Sequence, residues 1–280
     1  MIQKSFKEPK PTLYVVSTPI GNLSDMTYRA VEILKEVDYI FAEDTRNSGV
    51  LLKHFNINTQ MISYHEFNKD EKSIEAIKLL NEGKHLAIIT DAGTPGISDP
   101  GYLLIQKVIE ASFYVVPIPG ASASLTALVG SGLSMQPHVF IGFLPRKKSD
   151  AKQTLETYIH DEKTLIVYES PMRISDTLKV LFDVLGNRKI AIARELTKTF
   201  ETWIRTTLSE AIEMEHINKG EYVLIIDGNH EILTFDDMSL SDHVKLFISQ
   251  GLSEKDAMKK VASLRKIPKN EVYKAFKIID

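Results

Sequence analysis

The sequence predicts an α/β fold with two α/β domains and a small C-terminal helical module. Short β-branched and aromatic runs alternate with segments of helical spacing, which favours a parallel sheet flanked by helices. A turn-rich link over residues 130–137 divides this alternation into two series. Three short helical runs follow residue 240. We therefore predict α/β domains at 1–130 and 138–235, followed by a helical module at 240–280.

The first series alternates five strands with helices. Its strands are predicted at 12–17, 39–42, 60–63, 85–89 and 113–118. Its helices are predicted at 25–36, after Arg46 through 55, at 72–82 and at 102–111. Because strand and helix alternate without interruption, we expect these strands to lie parallel in one sheet.

The second series follows a small-residue helix predicted at 121–128. Its strands are predicted at 139–142, 164–168, 190–193, 201–206 and 222–227, and its helices at 150–159, 170–185 and 209–215. The helices of the last module are predicted at 242–249, 254–264 and 269–279. Ser253 with Asp256 resembles a capping box, and Pro268 suits a first helical turn.

The stretch Thr90 to Gly101 lies between the fourth strand and its helix. Its three glycines and two prolines prevent either element from continuing through it. Ligands of parallel sheets bind at the carboxyl ends of strands, so the stretch is a candidate site. Taken alone, an ordinary turn with a helix cap made by Ser98 and Asp99 is the simpler interpretation.

Composition excludes several classes of protein. The 280 residues contain no cysteine, which excludes disulfides, thiolate nucleophiles and cysteine-ligated metals. The N-terminus is polar and no apolar run approaches the roughly 20 residues of a membrane span. We expect a cytoplasmic protein with no membrane association.

Charge is distributed unevenly along the chain. Residues 241–280 carry nine lysines and arginines against five acidic residues, although the whole chain has a net charge of −3. A basic appendix suggests a polyanionic partner, and the three helices resemble a helix-turn-helix module. A solvated helical face, or a helical cap on the second domain, explains the same pattern.

Several common enzyme motifs are absent. No G-x-G-x-x-G follows a strand, which argues against the common dinucleotide fingerprint. Gly96 to Gly101 has the glycine spacing of a phosphate-binding loop, but Tyr102 replaces its lysine. Gly120-Ala-Ser122-Ala-Ser124 departs from a nucleophile elbow at its last position. No metal motif is present, and we expect no metal site.

Eight ordered motifs give the chain a family resemblance over nearly its whole length. They are Ser17-Thr-Pro-Ile-Gly-Asn-Leu23, Glu43-Asp-Thr-Arg46, Asp91-Ala-Gly-Thr-Pro-Gly-Ile-Ser-Asp-Pro-Gly101, Pro119-Gly-Ala-Ser122, Gly142-Phe-Leu-Pro145, Tyr168-Glu-Ser-Pro-Met-Arg173, Arg194-Glu-Leu-Thr-Lys198 and Lys219-Gly-Glu221. The set resembles ribosomal RNA methyltransferases of the tetrapyrrole methylase superfamily. The resemblance implies a homodimer that methylates a cytidine ribose 2′-hydroxyl in the decoding region of 16S rRNA, in free rRNA or in the small ribosomal subunit. It also implies S-adenosylmethionine as donor, bound between the two α/β domains.

The resemblance also implies which residues bind the donor. They are Pro19, Gly21, Asp91, Gly93, Thr94, Ile97, Ser98, Pro119, Gly120, Ala121, Ser122, Leu144, Tyr168 and Glu169. Within this set Asp91 is the principal candidate. Asp99, in the same stretch, is interpreted instead as a structural helix cap.

Methyl transfer to an alcohol needs alignment of donor and acceptor, and benefits from a proton acceptor or a polarising cation. The catalytic candidates are Glu43, Asp44, Glu169 and Lys198. The candidates for RNA contact are Arg46, Arg146, Lys147, Lys148, Arg173 and Lys198. Structural alternatives are a helix-start cap for Glu169, an Arg194–Glu195 ion pair, and a solvated turn for Lys147 and Lys148.

Two other functions compete with RNA methylation. The first is carbon methylation of a tetrapyrrole such as a precorrin or uroporphyrinogen. The second is a catalytically silent RNA-binding assembly factor that keeps the fold. Glu43-Asp-Thr-Arg46, Arg194-Glu-Leu-Thr-Lys198 and the basic tail favour RNA over the macrocycle, and no motif is visibly damaged.

Overall fold

The computed structural model describes residues 2–5, 10–230, 238–249, 251–265 and 267–277. Contacts group the chain into two units, residues 1–229 and 230–280. Several predicted boundaries lie outside the described residues. They are the ends of the second domain at 235, of the helical module at 280 and of its last helix at 279. Gln250 and Lys266, between the predicted helices of the module, also lie outside. The division of the first unit into domains at 130–138 stays a prediction.

The first sheet is parallel throughout and has the strand order β3-β2-β4-β1-β5. Its strands are β1 (Thr12–Val16), β2 (Tyr39–Ala42), β3 (Gln60–Ser63), β4 (Leu86–Ile89) and β5 (Tyr114–Ile118). The helices of this part are α1 (Tyr28–Glu36), α2 (Thr45–His54), α3 (Lys69–Asn81), α4 (Tyr102–Glu110) and α5 (Ala123–Ser131). The predicted alternation and parallel sheet are confirmed.

The strand order places a switch point between β1 and β4. From β1 the chain crosses over to β2 on the far side of β4, whereas from β4 it crosses to β5 on the far side of β1. The two connections therefore leave in opposite directions and open a crevice at the carboxyl ends of these strands. Strands β1 and β4 are aligned, with Val15 beside Ile88, so the loops that follow them start at the same edge.

The second sheet is mixed and has the order β6-β7-β10-β8-β9. Its strands are β6 (His138–Phe143), β7 (Thr164–Glu169), β8 (Lys189–Arg194), β9 (Thr202–Thr207) and β10 (Tyr222–Ile226). The associated helices are α6 (Lys148–Glu156), α7 (Ile174–Leu185) and α8 (Leu208–Glu213). Only β6 and β7 are parallel, because a short loop without a helix joins β8 to β9 and returns the chain in the opposite direction.

Apolar packing joins the two sheets within the first unit. Both faces of the first sheet are buried, as expected for a parallel sheet covered by helices. One face of the second sheet packs against α6, α7 and α8. Its other face packs against Ala127 and Leu128 of α5 and against Ile20 and Leu196 from two loops. Helix α5 thus fixes the loop ends of the first sheet against the second sheet.

The described residues of the second unit form three helices, α9 (Leu240–Ser249), α10 (Glu254–Leu264) and α11 (Lys269–Lys277). They share an apolar core that includes Val244, Phe247, Val261 and Val272. Ser253 caps α10, as its side chain accepts a hydrogen bond from the Asp256 amide. Across the described part of the chain, the helices are too short or too polar to span a bilayer.

Candidate active site

The candidate site lies at the switch point of the first sheet, where the loops after β1 and β4 bind each other. The Thr18 amide donates to the Gly93 carbonyl at 2.8 Å, and the Gly93 amide returns a bond to the Thr18 carbonyl at 3.1 Å. The Thr18 hydroxyl also donates to the Thr90 carbonyl at 3.0 Å. Gly93 has φ +82°, which a side chain at this position would strain. The two loops therefore form one fixed platform.

A cavity of about 480 Å³ opens over this platform. The first sheet contributes carboxylates and small residues from the loops after β2, β4 and β5. The second sheet contributes the carboxyl ends of β6 and β7, Leu196 after β8, and the start of β10. The cavity is thus enclosed by residues from both sheets of the first unit.

The structure brings eight of the predicted donor residues to this cavity. They are Asp91, Gly93, Thr94, Ile97, Ser98, Ser122, Tyr168 and Glu169. Six others lie outside its lining, namely Pro19, Gly21, Pro119, Gly120, Ala121 and Leu144. Leu144, for example, is buried in the core of the second sheet. Donor binding by any of these residues stays a prediction.

Two of the glycines outside the lining allow close packing around it. A Cβ on Gly120 would lie 2.8 Å from the Ser17 Cβ, so this glycine lets the loop after β5 approach the end of β1. A Cβ on Gly21 would lie 2.4 Å from the Lys198 Cγ. The loops of the two sheets are therefore in direct contact at Gly21, where only hydrogen fits.

Asp91 is held at the start of α2. One carboxylate oxygen accepts from the Asn47 Nδ2 at 2.9 Å, and the other accepts from the Asp44 amide at 3.3 Å. Asp44 in turn caps α2 by accepting from the Arg46 amide at 2.8 Å. The adjacent Arg46 guanidinium, 2.8 Å away, lowers the pKa of Asp44 to about 2. Asp44 is therefore a charged helix cap, and Asp91 presents an oriented carboxylate to the cavity.

Asp99 does not cap α4, and the interpretation of Ser98 and Asp99 as a cap is wrong. The N-cap position is Gly101, and no side chain bonds the first turn there. Residues Pro100 and Gly101 delay the helix, so the side chain of Asp99 turns instead to the cavity. Burial, with the charge of Glu43 as the next contribution, raises the pKa of Asp99 to about 6.

Glu43 lies beside Asp99 at the end of β2. Its Oε2 accepts a hydrogen bond from the Thr90 hydroxyl at 2.7 Å. Asp91 and Glu221 also add negative charge near Asp99. The first-sheet side of the cavity thus concentrates carboxylates that accept hydrogen bonds from hydroxyl and amide groups.

Glu169 is buried, with 2% of its surface exposed. Its Oε2 accepts from the Thr177 hydroxyl at 2.5 Å and lies 3.6 Å from the Arg173 Nη2. Its Oε1 accepts from the Ser170 amide at 2.7 Å. Helix α7 begins only at Ile174, so Glu169 anchors the preceding turn to α7 rather than capping a helix at Ser170.

Lys198 joins two loops of the second sheet. Its Nζ donates to the Glu195 Oε1 at 2.8 Å and to the Glu221 Oε2 at 2.9 Å. Burial opposes the charge of Lys198, but these two carboxylates outweigh it and raise the pKa of the ammonium. Glu195 thus pairs with Lys198, while Arg194 donates to the Lys219 carbonyl, so the predicted Arg194–Glu195 pair is not the principal contact.

The predicted RNA-contact residues differ in exposure. Arg46 has 89% of its side-chain surface exposed, and Arg146, Lys147 and Lys148 are also exposed. Arg173 instead donates to the carbonyls of Leu144 and Pro145. The first four are available to a polyanion, whereas Arg173 mainly fixes the second-sheet wall.

The sequence alone assigned no role to several residues that line the cavity. They are Ala92, Ala123, Phe143, Ser170, Pro171, Leu196, Gly220, Glu221, Tyr222 and Val223. Most of them belong to the eight motifs or directly follow one, and that membership was the available signal. Among the described residues, no group of three or more His, Asp or Glu side chains is placed to hold a metal ion.

Known proteins resemble this chain in sequence and in fold. The family model described as Tetrapyrrole (Corrin/Porphyrin) Methylases matches residues 12–212. A protein of Halalkalibacterium halodurans named Ribosomal RNA small subunit methyltransferase I is 47% identical over 96% of each chain. Proteins of the same name from Streptococcus pyogenes and Bacillus subtilis are 48% and 43% identical, and each match covers at least 98% of both chains. The chain belongs to the tetrapyrrole methylase family, in the branch of the ribosomal RNA small subunit methyltransferases I. Its family is one of methyltransferases, which implies a methyl donor.

Solved structures of two other enzymes share the fold of this chain. Uroporphyrin-III-C-methyltransferase from Thermus thermophilus superposes with a TM-score of 0.55 at 15% identity, covering 78% of this chain and 94% of that one. Diphthine synthase gives a TM-score of 0.58 at 13% identity, covering 78% and 90%. These likenesses confirm the predicted tetrapyrrole-methylase fold.

Proposed function

We propose that this methyltransferase transfers a methyl group from S-adenosylmethionine to the ribose 2′-hydroxyl of a cytidine in the decoding region of 16S rRNA. The observation that carries the proposal is a cavity at the β1–β4 switch point, lined by carboxylates and apolar side chains, in a chain of the rRNA methyltransferase branch. Cavities of this size class, about 300–1,000 Å³, accommodate ligands of the donor's dimensions.

The cavity matches the chemistry of the donor. S-adenosylmethionine supplies an electrophilic methyl group on a sulfonium centre. Asp91, Glu43 and Asp99 provide negative charge that favours a cation, and the hydroxyl-bearing residues Thr94 and Ser98 also line the cavity. Phe143, Leu196 and Val223 provide apolar surface for a purine ring. The residues present therefore fit the donor.

The residues of the chain act chiefly by alignment. Orientation can supply much of the acceleration of a displacement reaction, so a rigid platform is what the reaction needs. The doubled Thr18–Gly93 bonds, the Gly21–Lys198 contact and the Glu169 anchor all restrict movement of the cavity walls. Of the predicted catalytic residues, Glu43 and Glu169 line the cavity, while Asp44 and Lys198 orient its walls.

RNA contact requires cations outside an acidic cavity. Arg46, Arg146, Lys147 and Lys148 are exposed on the first unit, and the second unit exposes Lys255, Lys259, Lys260 and Lys274. These side chains would bind phosphates while the target nucleoside reaches the donor. The helical module is proposed as an additional RNA-binding element. A cytoplasmic homodimer is part of the proposal and follows from the family resemblance.

Transfer of labelled methyl groups tests this function. The protein is incubated with S-adenosylmethionine labelled in its methyl group and with unmethylated small subunits, naked 16S rRNA or a precorrin-type tetrapyrrole. A labelled dinucleotide that survives alkaline hydrolysis of the RNA is expected, because a 2′-O-methyl group blocks cleavage at that ribose. Label in the macrocycle would favour carbon methylation. The absence of label from all three would favour a silent RNA-binding factor.

A further inference from the structure

A second cavity adjoins the donor cavity. It has a volume of about 660 Å³ and is more open to solvent. Glu43, Ser98 and Asp99 line both cavities, so these residues form the boundary between them. The other walls of this groove come from the loop between β3 and α3, with Gly96 and Pro100 opposite. A molecule bound in the groove would therefore meet the donor across Glu43 and Asp99.

Phe67 projects from the β3–α3 loop at the edge of this groove and is 96% exposed. Three hydrogen bonds of Asn68 fix the loop. Its Nδ2 donates to the Ser63 carbonyl at 3.1 Å, its Oδ1 accepts from the His65 amide at 2.8 Å, and its own amide donates to the His65 carbonyl at 3.0 Å. The ring of His65 supports Phe67 edge-on, with centroids 6.1 Å apart.

An aromatic ring in this position does not contribute to the core. Burial of such a side chain would remove its apolar surface from water and stabilise the protein. Here the hydrogen-bonded turn holds the ring in solvent at the mouth of a cavity. Exposed aromatic rings beside a groove are suited to stacking on unpaired bases.

The charges of the groove select which part of a nucleotide can enter. Glu43, Glu66 and Asp99 line it, and only Glu66 has a cation partner among the described residues, in Lys69. A phosphate would be repelled from the inner end, where Glu43 and Asp99 lie. An uncharged base and ribose would not. Arg46, which lies near Asp91 and is highly exposed, is placed to meet phosphate outside.

We propose that this groove holds the target cytidine, with its base stacked on Phe67 and its 2′-hydroxyl next to Asp99, which accepts the hydroxyl proton. The inference rests on the proposed function and names the residues that bind and activate its acceptor. In the transfer, the ribose oxygen bonds to the methyl carbon as the sulfur–methyl bond breaks. The hydroxyl proton passes to the Asp99 carboxylate, leaving a 2′-O-methyl ribose and S-adenosylhomocysteine.

The surroundings of Asp99 suit this role. Asp99 is partly buried, and Glu43, Asp91 and Glu221 contribute negative charge around it. Together with burial, the carboxylates make Asp99 more basic than an ordinary aspartate, with a pKa of about 6. The group is therefore ionised at neutral pH yet binds a proton better than a solvated carboxylate.

Substitution of Phe67 tests the stacking part of the inference. Phe67→Ala should raise the KM for small subunits about 5- to 150-fold, the range observed when one stacked base is deprived of its aromatic partner. The Kd of S-adenosylmethionine, measured by calorimetry, should change less than twofold. Phe67→Trp should restore the KM. Tyr28→Ala, which removes a similarly exposed ring outside both cavities, serves as control.

Substitution of Asp99 tests the proton acceptor. Asp99→Asn should lower the single-turnover rate about 100-fold or more while leaving the KM for small subunits within threefold. The wild-type rate should fall as pH decreases through about 6, and this acidic limb should disappear in Asp99→Asn. An unchanged circular dichroism spectrum would show that the variant is folded.

The outcomes separate this inference from the proposed function. If the wild-type protein labels 16S rRNA but Phe67→Ala keeps its KM, or Asp99→Asn keeps its rate and acidic limb, the groove assignment is overturned and the function stands. If the wild-type protein labels no RNA, both are overturned.

Discussion

The two sheets face the donor cavity with different electrostatic designs. On the first-sheet side, Glu43 and Asp91 accept bonds from hydroxyl and amide groups, and Asp99 lies in the field of both carboxylates. On the second-sheet side, Glu169 lies against Arg173, while Glu195 and Glu221 share Lys198. Charge left uncompensated favours a cationic ligand, whereas charge compensated within the wall favours rigidity. The first-sheet side of the cavity is therefore suited to binding and chemistry. The second-sheet side is suited to holding the cavity in shape.

The largest expected difference concerns stability. Glu169→Ala removes a buried acceptor from Thr177, Ser170 and Arg173, and should lower the free energy of unfolding by about 3 kcal/mol. Asp91→Ala should change it by less than about 1 kcal/mol, because Asp91 is exposed. Urea unfolding followed by circular dichroism measures both. Equal decreases in the free energy of unfolding would contradict the division of roles between the two sides of the cavity.

The affinity for the donor should depend strongly on Asp91, although the stability of the protein should not. Asp91→Ala removes an oriented carboxylate from the cavity and should weaken S-adenosylmethionine binding about 10- to 100-fold. Asp25→Ala, on a short turn outside the cavity, should leave the Kd unchanged. Calorimetric titration compares them. An unchanged Kd for Asp91→Ala would remove the principal donor assignment.

The raised pKa of Asp99, on the first-sheet side, should make the stability of the protein depend on pH. Its folded pKa of about 6 lies above its unfolded value of about 4, so the unfolded state loses the proton first. The free energy of unfolding therefore falls as pH rises from about 4 to about 6, and the loss is complete above about 6. Asp99→Asn should therefore stabilise the protein at pH 7.5, by about 1 kcal/mol after allowance for solvent screening. The gain should shrink as pH falls from 6 towards 4, where Asp99 becomes protonated in both states. A stability difference that stays constant from pH 4 to 7.5 would contradict the raised pKa.

The smallest expected effect lies in the second unit. Replacing Lys255, Lys260 and Lys274 with glutamine should weaken RNA binding uniformly and reduce the salt slope by about 0.7 for each phosphate that these lysines neutralise. Donor affinity should not change. Filter binding at several salt concentrations measures the slope, with Lys35→Gln on α1 as a control. An unaltered slope would argue that the module is a structural appendix.

Much of the fold was predictable because hydrophobic periodicity determines strands and helices directly. The parallel first sheet followed from alternation alone. The mixed second sheet did not, since strand direction there depends on the short β8–β9 connection, whose course no periodicity indicates. The different charge compensation on the two sides of the cavity also depends on contacts between residues distant in sequence, such as Lys198 with Glu221. The sequence does not show these contacts.

The site was predictable as a set of motifs but less so as a set of roles. Asp99 was misassigned because Ser98-Asp99 before a helix resembles a cap, and the sequence does not show that Gly101 occupies the N-cap position. Phe67 belongs to none of the eight motifs, and its exposure results from hydrogen bonds of Asn68. Such positions become candidates only when the three-dimensional arrangement is known.

The most direct test of the account is a crystal structure with S-adenosylhomocysteine bound. We predict that the product occupies the cavity at the β1–β4 switch point, with its amino acid and ribose groups against Asp91 and the Gly93 loop, and its purine against Leu196 and Val223. Density for the product elsewhere, with this cavity empty, would contradict the assignment of the first-sheet edge as the donor site.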